Sequence, residues 1–136
     1  MDCLFCRIIN NEILSEKIYE DDDFVAILDV NPSNPGHTLL IPKIHSDNFM
    51  VTAEPVLTRL IALVPTIARA IGEALDYKAY NFIVNNGPEA GQVINHLHLH
   101  IIPRREGDGL KEFQSRKYAD GELQTVAEKI RSVLKK

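Results

Sequence analysis

Asn-His-Leu-His-Leu-His-Ile-Ile, residues 95–102, is the most informative stretch of this chain. Imidazole and aliphatic side chains alternate with a period of two. On a β-strand, His96, His98 and His100 therefore share one face, while the aliphatic residues between them share the other. A helix would spread the three imidazoles around its axis. The alternation predicts a strand over residues 94–103, with one face in the core and the other available for chemistry.

The rest of the chain predicts an α+β fold. Strand-like segments occur at residues 17–20, 24–29, 37–42 and 79–85, and helical patterns occur at residues 3–10, 54–75 and 120–134. The strands at 24–29 and 37–42 are joined by a short turn and should pair antiparallel. Pro65 interrupts the second helical pattern and predicts a kink or two helices. We expect an antiparallel sheet of about five strands with helices packed on it, in a single domain over residues 1–136.

Composition narrows the class of protein. The chain has 136 residues, of which 45% are hydrophobic and 25% are charged, as in ordinary globular domains. A net charge of −4 provides no basic field for a nucleic-acid backbone, so we expect no nucleic-acid partner. The N-terminus lacks the features of a signal peptide, and no apolar run approaches the roughly 18 residues of a membrane span. We therefore expect a cytoplasmic protein without a membrane partner.

Three clustered imidazoles suit phosphoryl transfer to and from nitrogen. Near neutral pH one imidazole can be neutral and nucleophilic while a neighbour is protonated. A covalent phospho-histidine would divide one difficult displacement into two easier ones. Two alternatives stay open at this point: a purely metal-binding triplet, and a solvent-facing strand that happens to use histidine.

The triplet, followed by Pro103-Arg104, resembles the signature of the histidine-triad (HIT) nucleotide hydrolases, and the resemblance covers nearly the whole chain. Residues 85–92 (NNGPEAGQ) resemble the family's phosphate loop, and residues 24–29 and 35–43 (PGHTLLIPK) resemble its nucleotide-binding hairpin. The prokaryotic zinc-containing members of the Hint-like branch are the most similar in pattern. The resemblance implies that the chain cleaves a nucleoside monophosphate from a leaving group through a covalent nucleotidyl-histidine. Adenosine phosphoramidates, acyl-adenylates and related AMP-type purine nucleotides are the implied substrates.

The resemblance also implies roles for single residues. His98 matches the nucleophile, His100 the histidine beside the phosphate and leaving group, and His96 a supporting histidine. Asp29 matches the carboxylate that holds the ribose hydroxyls, although a turn-capping aspartate is the alternative. Asn85 matches a polar residue near the phosphate. The implied backbone donors to the phosphate are Gly91, Gln92 and Val93, and the implied base pocket consists of Leu4, Phe5, Ile8, Ile27, Leu28 and Val30.

One position departs from the family pattern. At Val93 many relatives carry serine or threonine, whose hydroxyl contacts the phosphate or the leaving group. Valine cannot make that bond, so turnover or leaving-group preference should differ here. Two rival functions stay open: a dinucleoside polyphosphate hydrolase, and a zinc-stabilised nucleotide-binding or scaffold protein with little turnover.

The two cysteines, Cys3 and Cys6, predict a metal site. A tetrahedral zinc site needs two further ligands, for which His45 and His96 are candidates. The family resemblance implies the closed set of Cys3, Cys6, His45 and His96, with a structural zinc ion. A redox pair and two ordinary buried thiols are the alternatives.

The family resemblance further implies a homodimer in which the two sheets join into one. We expect the strand at residues 79–85 and the apolar stripe of the helix at residues 54–75 to form the contact. Pairing would cover a strand edge that is otherwise exposed.

Overall fold

The computed structural model describes residues 2–111 and 113–135. Its α-helices and β-strands follow one another along the chain as α1 (Leu4–Ile9), β1 (Lys17–Glu20), β2 (Phe24–Leu28), β3 (Thr38–Pro42), α2 (Glu54–Leu75), β4 (Ala79–Ile83), β5 (Leu99–Arg104) and α3 (Glu122–Leu134). The five strands form one sheet in the order β1-β2-β3-β5-β4, and every pairing is antiparallel. The predicted α+β class with a five-stranded antiparallel sheet is confirmed.

The sheet separates two apolar clusters. On one face, alternate residues of β2, β3 and β5 pack with the buried stripe of α2. On the other face, the intervening residues of β2 and β3 pack with Phe5 and Ile8 of α1. Leu99 and Ile101 of β5 belong to the α2 side. Because successive side chains of a strand point to opposite faces, His100 lies on the α1 side.

Helix α2 runs without interruption from Glu54 to Leu75, so of the two alternatives predicted at Pro65 the structure excludes two separate helices. By length and composition alone, α2 is long and apolar enough to cross a membrane. This corrects the expectation that no apolar segment of the chain is long enough for a membrane span. Part of its apolar stripe packs on the chain's own sheet, whereas Ile61 and Leu75 are 50% and 45% exposed, so the expected dimer contact through this helix stays a prediction. The buried residues of α2 are Leu60, Val64, Ile67, Ala68, Ile71 and Gly72.

Strand β5 differs from the prediction at both ends. It begins at Leu99 rather than at residue 94, because the N–H of Leu97 donates to the carbonyl of Ser46 (2.8 Å) and the preceding residues form a bend. His96 and His98 therefore lie before the strand. At the other end Pro103 does not stop the pairing with β4, where it lies opposite Tyr80. Strand β3 pairs with β5 only as far as Ile101. Pro103 has no N–H to donate, but no hydrogen bond between β3 and β5 is lost at this position.

We expected helix α3 to pack on the sheet, but it does not. No residue of α3 is buried, and Leu123 and Ile130 are 54% and 55% exposed. Helices α1 and α2 already cover the two faces of the central strands. The apolar side of α3 is thus left uncovered within one chain.

Candidate functional site

A cavity of about 520 Å³ opens on the α1 side of the sheet. Most of its wall is apolar and a few polar groups converge on it, which is typical of a small-molecule site. Most of the site residues expected from the sequence line this cavity. They are Leu4, Phe5, Ile8, Ile27, Leu28, Asp29, Val30, Asn85, Gly91, Val93, His98 and His100. His96 and Gln92 are buried and do not line it.

The backbone fixes the orientation of the His98 ring. Its Nδ1 lies 2.7 Å from the carbonyl oxygen of His96. A carbonyl only accepts hydrogen bonds, so Nδ1 carries the proton and Nε2 keeps its lone pair. The ring packs edge-on against Phe5, with centroids 4.9 Å apart. Burial lowers the pKa of His98, partly offset by the bond to His96 and by Asp29, so the ring is neutral near neutral pH.

A second hydrogen-bond chain fixes the proton of His100. The N–H of Ser33 donates to Nδ1 of His37 (3.0 Å), which leaves the His37 proton on Nε2. That N–H donates to Nδ1 of His100 at 2.9 Å, so His100 carries its proton on Nε2. The sequence interpretation missed His37. It lies just before β3 within the quoted hairpin, and pairing of Leu39 with His100 brings it close to the triad.

The imidazoles of this second chain are neutral at neutral pH. Burial lowers the pKa of His100 from 6.5 to about 4, helped by His98 and His37 and opposed by Asp29. Burial also lowers the pKa of His37, again opposed by Asp29. Burial therefore opposes the protonated neighbour that the sequence analysis allowed, because desolvation outweighs the one nearby carboxylate.

The carboxylate of Asp29 makes the turn-capping bond and also lines the cavity. Its Oδ1 accepts the N–H of Asn31 at 2.9 Å, which is the turn-capping bond. Its Oδ2 lies 3.6 Å from Nε2 of His37 and the side chain is 21% exposed. The carboxylate therefore caps the turn with one oxygen and keeps acceptor capacity at the cavity with the other.

The loop before the triad offers fewer backbone donors than expected. Gly91 adopts φ +93°, a conformation that favours glycine, and its N–H donates to the carbonyl of Pro88. The N–H of Gln92 donates to the carbonyl of Gly87. Both groups are thus used inside the loop. Among the three expected donors, Val93 alone has an N–H for which the described part of the chain provides no partner.

The side chain of Gln92 braces this loop from behind. Its Nε2 donates to the carbonyls of Asp47 (2.6 Å) and Ile94 (3.0 Å), and its Oε1 accepts the N–H of Gly87 at 2.9 Å. The side chain of Gln92 therefore lies away from the cavity wall. These bonds tie the loop to the segment that carries His45.

Cys3, Cys6, His45 and His96 form a cluster whose ligand atoms lie within 4.8 Å of one another. Nδ1 of His96 is 3.4 Å from Sγ of Cys3 and 3.1 Å from Nδ1 of His45, and Sγ of Cys6 is 3.4 Å from Nδ1 of His45. Tetrahedral zinc with its usual bond lengths places ligand atoms about 3.3–3.8 Å apart. The spacing and the donor set fit zinc.

The outer nitrogens of the two histidines support the same interpretation. Nε2 of His96 lies 2.8 Å from the carbonyl of Pro42, and Nε2 of His45 lies 3.2 Å from Oδ1 of Asp47. Each ring therefore carries its proton on the outer side and turns the Nδ1 lone pair toward the sulfurs. Metal-bound histidines are usually oriented in this way by acceptors behind them. Four protein ligands would leave no open position on the metal.

Asp29, His37 and His100 also converge closely enough for a metal ion. Their hydrogen bonds favour a different use. Since Ser33 donates to Nδ1 of His37, the converging Nε2 atom carries a proton rather than a lone pair. The proton on Nε2 of His37 disfavours a metal ion in this group, whereas the cysteine–histidine cluster offers four donor atoms without such a proton.

Comparisons with known proteins agree with this geometry. Adenylylsulfatase HINT3 from Arabidopsis thaliana is 48% identical over 109 residues, which cover 80% of this chain and 55% of that protein. A HIT family member from Bacillus subtilis superposes with TM-score 0.86 at 38% identity, over 97% of this chain and 96% of that one. A zinc-bound histidine triad protein from Mycobacterium smegmatis gives TM-score 0.78 at 34% identity, over 98% of both chains. The HIT domain model matches residues 10–107, and the chain therefore belongs to the HIT family.

Proposed function

We propose that the protein is a nucleotide hydrolase that releases a nucleoside monophosphate through a covalent intermediate on His98. One observation carries the proposal: His98, with the lone pair of Nε2 free, lines the same cavity as His100, which carries its proton on Nε2. A neutral nucleophile beside an N–H donor is what displacement at phosphorus requires.

The first step uses both histidines. Nε2 of His98 attacks the α-phosphorus, the bond from phosphorus to the leaving group breaks, and the leaving group departs with its electron pair. His100 donates the hydrogen bond of Nε2–H to the phosphate or to the leaving atom, where negative charge develops. The N–H of Val93 is a further donor for the phosphate. In the second step water attacks the nucleotidyl-histidine, the P–N bond breaks, and Nε2 recovers its lone pair as the monophosphate and a proton are released.

The remaining cavity residues account for recognition of the nucleotide. The free oxygen of Asp29 can accept hydrogen bonds from the ribose hydroxyls. The apolar wall formed by Phe5, Ile8 and Ile27 suits a purine base. The expected substrate is therefore an AMP-type nucleotide with an amine, acyl or similar leaving group. The Arabidopsis relative is named as an adenylylsulfatase, an activity that is compatible with this chemistry at phosphorus.

We assign zinc a structural role, because four protein ligands close its coordination sphere. When bound, the ion would neutralise two thiolates and fix the ring of His96. His96 is thus a supporting residue rather than one that touches substrate. Two free cysteines suit a reducing compartment and support the proposed cytoplasmic location.

The test is mass spectrometry of protein quenched during turnover of an adenosine phosphoramidate, an acyl-adenylate or a diadenosine polyphosphate. We expect AMP release and an adenylyl adduct on His98. The H98N variant should bind AMP but form neither adduct nor product, and the exposed N95A variant of the same segment serves as the control. Turnover by H98N would overturn the role of His98. Binding of AMP by the wild type with neither adduct nor product would favour the binding-protein alternative.

A further inference from the structure

The turn between β2 and β3 is tied to the loop after β5 through the side chain of Asn34. Its Nδ2 donates to the carbonyl of Pro103 (2.9 Å) and to Oδ2 of Asp108 (3.0 Å). Its own carbonyl accepts the N–H of His37 at 3.0 Å. The residue before it, Ser33, supplies the N–H that caps Nδ1 of His37. Asn34 therefore connects the hydrogen-bonded pair of His37 and His100 to the loop after β5.

Asp108 is a rigid anchor for this connection. Besides Asn34, its carboxylate accepts hydrogen bonds from Nε and Nη2 of Arg104 and from the N–H groups of Arg105 and Leu110, at 2.8–3.2 Å. The side chain is only 7% exposed. The bond to Arg104 holds the pKa of Asp108 well below its usual range, so the anchor stays charged. Asp108 lies just outside residues 10–107, which the family model matches.

We propose that Asp108 and Asn34 are positioning residues, which act through Ser33 to keep the proton of His37 on Nε2 and thereby the proton of His100 on Nε2. The proposal rests on the function assigned to His98 and His100 above. Neither Asp108 nor Asn34 is among the residues that line the nucleotide cavity, so their effect must pass through the turn.

The physical reason is the small energy difference between imidazole tautomers. A donor aimed at Nδ1 decides the tautomer of His37, and loss of such a hydrogen bond changes the ratio of the two tautomers about fivefold. Val30 is 85% exposed, and its neighbours Asn31 and Pro32 are exposed too, so little packing holds this half of the turn. Without this clamp, the hydrogen bond between Asn34 and Asp108, Ser33 moves away from Nδ1 and His37 populates the tautomer that cannot donate to His100. His100 then loses the partner that directs its own N–H into the cavity.

The test compares N34A, D108A and the double variant in the full, zinc-loaded protein. Imidazole ¹⁵N NMR reports the tautomers of His37 and His100 directly. We expect each single variant to shift the nitrogen signals of both rings and to lower kcat about fivefold, with the nucleotide KM little changed because Asp29 stays attached to β2. The double variant should resemble the single ones, since both substitutions break one connection. D23A, which removes an exposed carboxylate paired with Arg59, is the matched control.

Two results would overturn the proposal: N34A with unchanged ¹⁵N signals, or effects of N34A and D108A that add. If D108A fails to fold, N34A still tests the clamp because it keeps the bonds between Asp108 and Arg104. The NMR signals need no turnover. A protein without hydrolase activity would therefore refute the proposed function while leaving this inference to be decided by the spectra.

Discussion

The ring of His98 takes its orientation from the backbone of His96, whose carbonyl oxygen lies 2.7 Å from Nδ1 of His98. His96 is itself fully buried and turns its Nδ1 toward Cys3 and Cys6. The same residue thus belongs to the candidate metal cluster and sets the geometry of the proposed nucleophile. Metal binding and catalysis should be coupled through His96.

Removing zinc should therefore lower stability and turnover together. We expect purified protein to hold about one zinc ion per chain, and C3S and C6S to lose it. Each variant should melt at a lower temperature, because metal binding contributes folding free energy, and its kcat should fall more than its affinity for AMP. Elemental analysis, thermal melting and steady-state kinetics measure the three effects.

The H37N variant is the control for zinc content alone, because His37 belongs to the hydrogen-bond chain of His100. It removes an imidazole from the other group of converging ligands and should keep its zinc. Absence of metal from wild-type protein that never met a chelator would rule out the site. Full zinc content in C3S would show that Cys3 is not a ligand.

His100 should stay neutral far below the pH at which an ordinary histidine takes up a proton. Its pKa is lowered from 6.5 to about 4, so the neutral form persists as pH falls through 6.5 and is lost only toward 4. The acid limb of kcat/KM should accordingly lie below 6.5, since kcat/KM reports groups of the free enzyme. Bound AMP, being anionic, should raise the pKa of His100.

NMR titration of the His100 ring, with zinc content followed in parallel, measures this directly. The parallel measurement separates protonation of His100 from acid release of the metal. A His100 signal that titrates near 6.5 in the free protein would contradict the prediction.

Local patterning predicted the sheet well. Strand β1 has the predicted bounds, and β2, β3 and β4 differ from prediction by one or two residues, because alternation and turn residues act over short distances. The start of β5 was wrong because a tertiary bond from Leu97 to Ser46 outweighs the local alternation. The apolar pattern of α3 predicted an amphipathic helix, but a pattern within one helix does not specify the surface on which that helix packs.

The site was predictable where a residue acts through its type and was missed where it acts through hydrogen bonds. His98 and Asp29 could be named from the motifs, and both line the cavity. His37 was missed because its contact with His100 depends on strand register. The bracing bonds of the Gln92 side chain were not predicted, because a glutamine in a loop gives no sign of which carbonyls it will reach.

Replacing Val93 with serine should restore a bond that valine cannot make. Val93 is 91% exposed and lines the cavity, so V93S should change the free energy of unfolding by less than about 0.5 kcal/mol. A hydrogen bond from a hydroxyl to a charged phosphate is worth about 1.5 kcal/mol or more, which predicts a rise in kcat/KM of about tenfold. V93A is the control, since it removes methyl groups without adding a hydroxyl. An equal gain in kcat/KM for V93A would show that the effect comes from the removal of methyl groups rather than from the hydrogen bond to the phosphate.

Strand β4 forms one edge of the sheet and should pair with β4 of a second chain. Phe82 on this edge is 50% exposed, and β1 forms the opposite edge. An isologous contact of two β4 strands would continue the sheet and remove an exposed edge. Sedimentation should then give about 30 kDa, twice the chain mass of 15.3 kDa.

A charge on β4 tests this contact. F82K should give monomers, whereas I18K places the same charge on the β1 edge, where Ile18 is 44% exposed, and should leave the dimer intact. The cavity, His98 and Asp29 all come from one chain, so monomeric F82K should keep some turnover with lower stability. Monomeric wild-type protein at every accessible concentration would refute the dimer. A folded but inactive F82K monomer would instead show that the partner chain contributes to the site.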